Sequence, residues 1–142
     1  MDLYKKYSHK LVKIDFIKKK VGKFPRKNKI ILCHGVFDIV HPGHIRHLTY
    51  AKSQCDILVV SCTSDKFIDK GVYRPHIPQK MRALNLAALE MVDFVLIDDN
   101  KKPLNLLNKL RGKITIVVIA HRLNSITSAD NIFLFRNGRI IE

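Results

Sequence analysis

Four short segments of this chain are apolar on both sides: "KIILC" (29–33), "DILVVS" (56–61), "DFVLID" (93–98) and "KITIVVIA" (113–120). A strand with one wet face alternates apolar and polar residues. A strand covered on both faces does not, and such strands belong to parallel sheets flanked by helices. The intervening stretches carry helical spacing. Ile45, Leu48 and Ala51 form one stripe, Met81, Leu84, Ala88 and Met91 a second, and Leu104, Leu107 and Leu110 a third, entered through Pro103. Strand–helix alternation implies right-handed crossovers and an α/β fold, a Rossmann-like doubly wound parallel sheet. The last segment, "NIFLFRNGRIIE", adds a hairpin: two apolar runs around Asn137-Gly138, which suit a type I′ turn.

Charge is unevenly placed on this frame. Residues 1–29 hold ten Lys and one Arg against Asp2 and Asp15, so nine of the net +14 charges sit there. That arm lacks the aromatic and Gly- or Ser-rich spacing of a dedicated RNA-binding arm, so nucleic acid is not the favoured partner. Leu11, Val12, Ile14, Phe16 and Ile17 instead predict a short helix that packs one side and leaves its lysines in water. The basic surface still favours phosphate-bearing substrates through its field. Cys33, Cys55 and Cys62 form no CxxC pair, which reads as reduced thiols in a cytoplasmic protein. No apolar run approaches the ~18 residues that cross a bilayer, so no membrane association is expected.

In parallel α/β sheets, ligands bind beyond the carboxyl ends of the strands. Here those ends lead into His34-Gly35, Thr63-Ser64-Asp65, Asp99-Asn100 and His121. The first leads into "GVFDIVHPGH" (35–44), which places His41 just before a helix and His44 in its first turn. Pro42 pre-sets the backbone there and Gly43 permits close approach of a ligand. The helix start offers unpaired N–H groups and a positive dipole end to an anion. Two imidazoles beside it can donate to phosphate oxygens, which suits phosphoryl or nucleotidyl transfer. A transition-metal site is the competing reading, because His34, His41, His44 and His47 lie within fourteen residues. Only Asp38 is near in sequence to support it, so no metal ligand is assigned. The histidines as capping and surface residues are the third reading.

The stretch "GVFDIVHPGHIRHLTYAKSQCDILVVSCTSD", with "YRPHIPQKMRALNLAALEMVDFVL" after it, resembles the cytidylyltransferase-like nucleotidyltransferases over about residues 10–111. The likeness is to the branch acting on sugar phosphates and glycerol phosphate. It implies transfer of a nucleotidyl group from an NTP (CTP or ATP) to a phosphorylated small molecule, with pyrophosphate leaving. It implies that His41 and His44 bind the phosphates and stabilise the transition state, with Gly43 allowing close approach. Gly35, Val36 and Phe37 would shape the turn beneath the nucleotide, and Asp38 would support it. Lys70 and Arg82 would neutralise phosphate, Arg82 with a catalytic role. Mg²⁺ would travel with the triphosphate, held by phosphate and water. Arg74 and His76 are loop contacts in this reading, and a homodimer is left open.

After "NKLR" the pattern changes. "KITIVVIAHRLNSITSADNIFLFRNGRIIE" resembles the end of an ATP-binding cassette ATPase, with a switch-histidine loop at "AHRL". Asp130, Asn137, Gly138 and Arg139 fall where that pattern expects them. The chain then divides into a basic helical arm (1–28), a nucleotidyltransferase-like core (29–112) and a cassette-like tail (113–142) that completes the sheet. The Ser/Thr-rich clamp that the first family carries in its second half is missing from this tail. The alternative to an active enzyme is therefore a truncated or chimeric nucleotide-binding domain with little or no turnover. His121, following a strand end, is a further candidate for ligand contact.

Overall fold

The computed structural model describes residues 2–22, 27–68, 71, 73–100, 135–136 and 139–141. Three of the four apolar segments form strands β1 (Ile30–Gly35), β2 (Ile57–Thr63) and β3 (Phe94–Asp98). They pair in parallel in the order β1-β2-β3, with Leu32 opposite Val59 and Val59 opposite Phe94. The fourth segment, 113–120, lies outside the described residues. Near the end of the chain β4 (Phe135–Arg136) pairs antiparallel with β5 (Arg139–Ile140), with Arg136 opposite Arg139, while the Asn137-Gly138 turn itself lies outside the described residues.

The two-sided apolarity of the strands is used as the period-2 geometry requires. Cys33, Leu58, Val60, Cys62 and Val95 face helices α3 (Pro42–Ser53) and α4 (Gln79–Ala87), packing with Leu48, Ala51, Ala83, Leu86 and Ala87. The alternate residues Ile30, Leu32, Val59 and Leu96 face the other way, onto Ile17 and Val21. Those two belong to α2 (Ile14–Val21), which follows a short α1 (Leu3–Tyr7). The basic arm is thus a covering layer, with Lys13, Lys19 and Lys20 exposed. Leu11 and Val12 do not join its helix as expected. Leu11 bridges Val95 and the Val12 amide donates to the Val95 carbonyl at 2.9 Å, extending the sheet past β3. An unpaired strand edge recruits backbone more strongly than a two-residue helix extension would.

Helix α4 is present where expected but turned about its axis. Met81 is 53% exposed and Ala88 is on the surface, while Arg82, Ala83, Leu86 and Ala87 are buried. The two alanines let the helix lie close to the sheet, and Arg82 finds polar partners beneath it. A pattern drawn from hydrophobicity alone selects Met81 over Arg82 and so misplaces the face. Ile45 of α3 departs from its expected stripe in the same way, being 41% exposed.

Candidate functional site

The turn after β1 is built around two close contacts. Phe37 adopts φ +50°, a left-handed conformation costing a non-glycine residue about 1–2 kcal/mol. Its buried ring repays this by packing into the core and against His44, with ring centroids 5.2 Å apart. Gly35 makes room for it, since a Cβ there would lie 3.0 Å from Phe37 Cε2. The chain then enters α3 with His41 as N-cap and Pro42 in the first turn.

His41 and His44 stack at the mouth of that helix, centroids 3.9 Å apart and planes inclined by 33°. The Gly43 amide donates to His41 Nδ1 at 3.2 Å, so a neutral His41 carries its proton on Nε2, where it can donate to a ligand. The amides of His44 and Ile45 both donate to the His41 carbonyl, at 2.9 and 3.2 Å. The N–H groups expected to be unpaired at this helix start are therefore capped by His41 itself, and the imidazoles become the principal donors. Gly43 serves the same end: a Cβ at that position would meet His41 Cε1 at 2.9 Å, before any ligand.

His44 is half-buried, and its Nδ1 is enclosed without a hydrogen-bond partner. Burial lowers its pKa, reinforced by the His41 and His47 imidazoles, with the Ile39 carbonyl acting in the opposite sense. Below the pair, His34 Nδ1 meets Ser61 Oγ at 3.0 Å and Nε2 meets Thr63 Oγ1 at 3.3 Å. Burial lowers the pKa of His34 as well, opposed by the charge of Asp98.

Asp38 ties residues 74–77 to this turn. Its Oδ1 accepts from the Ile77 amide and its Oδ2 from Arg74 Nη1, each at 3.0 Å. Partial burial would raise its pKa. The amides of Ile77 and His76 and the Arg74 guanidinium outweigh that and bring it down to about 2. The expected support of the nucleotide turn thus takes the form of a loop anchor.

Gly35, Val36, Phe37, Asp38, His41, Gly43 and His44 all line one open pocket of about 650 Å³, joined by His34, His47 and Arg74. Of the two residues expected to neutralise phosphate, one cannot be placed and the other is committed elsewhere. Lys70 lies outside the described residues, as does His121. Arg82 is fully buried and committed to the fold. Its Nε donates to the Ile77 carbonyl at 2.8 Å, and its Nη2 to the Thr63 carbonyl at 2.8 Å and Asp65 Oδ1 at 2.6 Å. Its Nη1 donates to the Val36 carbonyl and to Cys62 Sγ. Among the described residues, the cation lining the pocket is Arg74, which the sequence offered as a loop contact and no more.

A larger cleft of about 1010 Å³ runs along β3 between the N-terminal segment and Asn100, where this stretch of described residues stops. It holds none of the motif residues. Among the described residues, no three His, Cys, Asp or Glu side chains gather as a metal-binding group. No helix among them is long and apolar enough to cross a membrane. Cys33, Cys55 and Cys62 form no disulfide.

Comparison with known proteins converges on this region. Residues 32–136 match the family model described as cytidylyltransferase-like, a span that includes most of the tail assigned above to a different origin. The bifunctional protein HldE of Campylobacter concisus is 32% identical over 126 residues, covering 87% of this chain and 26% of that protein. Its counterpart in Nitrobacter hamburgensis is 35% identical over 115 residues, covering 80% and 23%. That of Campylobacter fetus is 46% identical over 89 residues, covering 61% and 19%. The chain spans about a quarter of the length of the first of these relatives and less of the others. Among solved structures, the lipopolysaccharide core biosynthesis protein from Thermoplasma volcanium superposes with a TM-score of 0.50 at 25% identity. That superposition covers 58% of this chain and 67% of the other.

Proposed function

Because this chain belongs to the cytidylyltransferase-like family, we propose that it transfers a nucleotidyl group from CTP or ATP to a phosphorylated small acceptor, a sugar phosphate or glycerol phosphate. The observation that carries the reading is the stacked His41–His44 pair at the start of α3, beyond the carboxyl end of β1. A phosphate oxygen of the acceptor attacks the α-phosphorus of the NTP, the bond to the β-phosphate oxygen breaks, and pyrophosphate leaves. His41 donates from Nε2 to the phosphates. His44, neutral near pH 7 because its pKa is lowered, donates its ring N–H to the negative charge that accumulates beside it, and so stabilises the transition state. No covalent enzyme intermediate is needed.

Mg²⁺ would come with the triphosphate as its counter-ion, held mostly by phosphate and water.

A pyrophosphate-release assay with CTP and ATP against a panel of sugar and polyol phosphates tests the reading. The wild-type chain is expected to release pyrophosphate, and His44→Ala to lower the rate on the order of 10²–10³-fold, the usual worth of one transition-state donor. Binding of nucleotide without turnover would favour the non-catalytic alternative. Absence of both would overturn the proposal.

A further inference from the structure

Among the described residues lining the histidine pocket, Arg74 is the one permanent cation. Its side chain is 45% exposed, and its single described partner is Asp38, whose own side chain is 11% exposed. A guanidinium carries five N–H donors in a planar fork, and here one is engaged. Arg82 presents the opposite case, with Nε, Nη1 and Nη2 all spent on protein acceptors. The phosphate-neutralising role assigned to Arg82 by resemblance thus has no donor left to perform it, while an uncommitted fork stands at the pocket's rim.

Asp38 explains why that fork stands there. One carboxylate holds both the Arg74 head and the Ile77 amide, so residues 74–77 are fixed to the same turn that carries His41. The ion pair is neutral as a unit and adds little long-range attraction. What Arg74 adds is directional hydrogen bonding to an anion drawn in by the imidazoles and the helix.

Resting on the nucleotidyltransferase reading, we propose that Arg74 is a substrate-binding residue that grips the phosphate groups of the NTP, and that Asp38 is its positioning residue. Asp38 acts only through Arg74, whereas the histidines act on the reacting phosphate directly.

Calorimetric titration of the full chain with CTP and with ATP tests this, using wild type, Arg74→Ala, Arg74→Lys, Asp38→Asn and the Arg74→Ala/Asp38→Asn double variant. Arg74→Ala is expected to weaken triphosphate binding about tenfold to a hundredfold, the worth of one charge-assisted contact. Arg74→Lys should restore part of the loss, since it keeps the charge without the fork. Asp38→Asn keeps an acceptor for the Ile77 amide and should lose less than Arg74→Ala. The double variant should bind no more weakly than Arg74→Ala alone. Unchanged affinity in Arg74→Ala, with wild type binding normally, overturns the inference and leaves the proposed function standing. Additive losses in the double variant overturn the positioning role of Asp38. Failure of wild type to bind either nucleotide overturns both readings.

Discussion

Replacing Arg82 with methionine separates two accounts of that residue. If it grips substrate phosphate, the variant keeps its stability and loses ligand affinity. If it is a structural tie, the order of effects reverses. Methionine retains the length and most of the apolar packing of the buried chain, so the change isolates the guanidinium. Three backbone carbonyls, those of Val36, Thr63 and Ile77, lose their donor. All three residues are half-buried, so water can reach some of the space left behind, and the lower end of the cost of an orphaned acceptor applies, ~1 kcal/mol each. The Asp65 carboxylate is 41% exposed and contributes little, because solvent screens it.

The sum is about 3 kcal/mol, a large share of the roughly 5–15 kcal/mol that holds a domain of ordinary size together. At about 3 °C per kcal/mol for a chain of this length, the melting temperature should fall by about 10 °C. Arg82→Lys, which keeps one charged donor group, should fall less. Thermal unfolding followed by far-UV circular dichroism, beside nucleotide titration at a temperature where both proteins are folded, reads both effects. A variant that melts with the wild type but has lost nucleotide binding would refute the structural assignment of Arg82.

Gly43→Ala should leave the fold intact or slightly more stable, since alanine suits a helix better than glycine by up to about 1 kcal/mol. It should nonetheless weaken nucleotide binding, because the new Cβ would sit 2.9 Å from His41 Cε1 and displace the ring; equal affinity in titration would show that the stacking is dispensable. The depressed pKa values of His34 and His44 make a further prediction from linkage. The unfolded chain, with these groups near 6.5, binds more protons than the folded one, so stability rises with pH and is lost as pH falls below about 6.5. Urea unfolding between pH 5 and pH 7.5 should show this slope, and His34→Asn should flatten it; a slope of opposite sign would contradict the burial of both rings. Asp93→Ala should destabilise by about 2–3 kcal/mol. Its Oδ2 accepts both from the Leu58 amide at 2.7 Å and from Lys52 at 2.6 Å, and a denaturant midpoint unchanged from wild type would count against it.

How much of this was legible beforehand depends on what each residue's neighbours in sequence reveal. The strands were readable because burial on both faces leaves a local signature, and Ile30, Leu32 and Val59 then fell against α2 as the alternation requires. The histidine pair was readable because His41, Pro42, Gly43 and His44 form one helix start, so their juxtaposition needs no tertiary information. Arg82 was not. A basic residue at the opening of an amphipathic helix reads the same whether it reaches out to a ligand or turns inward to three carbonyls. Its partners Val36, Thr63 and Asp65 lie 46, 19 and 17 residues away in the chain. The Asp38–Arg74 tie spans 36 residues and was hidden for the same reason.

These two non-local ties divide the labour between the two arginines, Arg74 and Arg82. Arg82 closes the carboxyl ends of β1 and β2 from below, fixing Val36 and so the turn that Phe37 strains to make. Arg74 is left above that turn, tethered but with donors to spare. Losing Arg82 should therefore disturb the histidines by loosening their support, while losing Arg74 should spare the support and remove a ligand contact. The two losses differ in melting temperature before they differ in activity, so stability must be measured first when either residue is assigned a role.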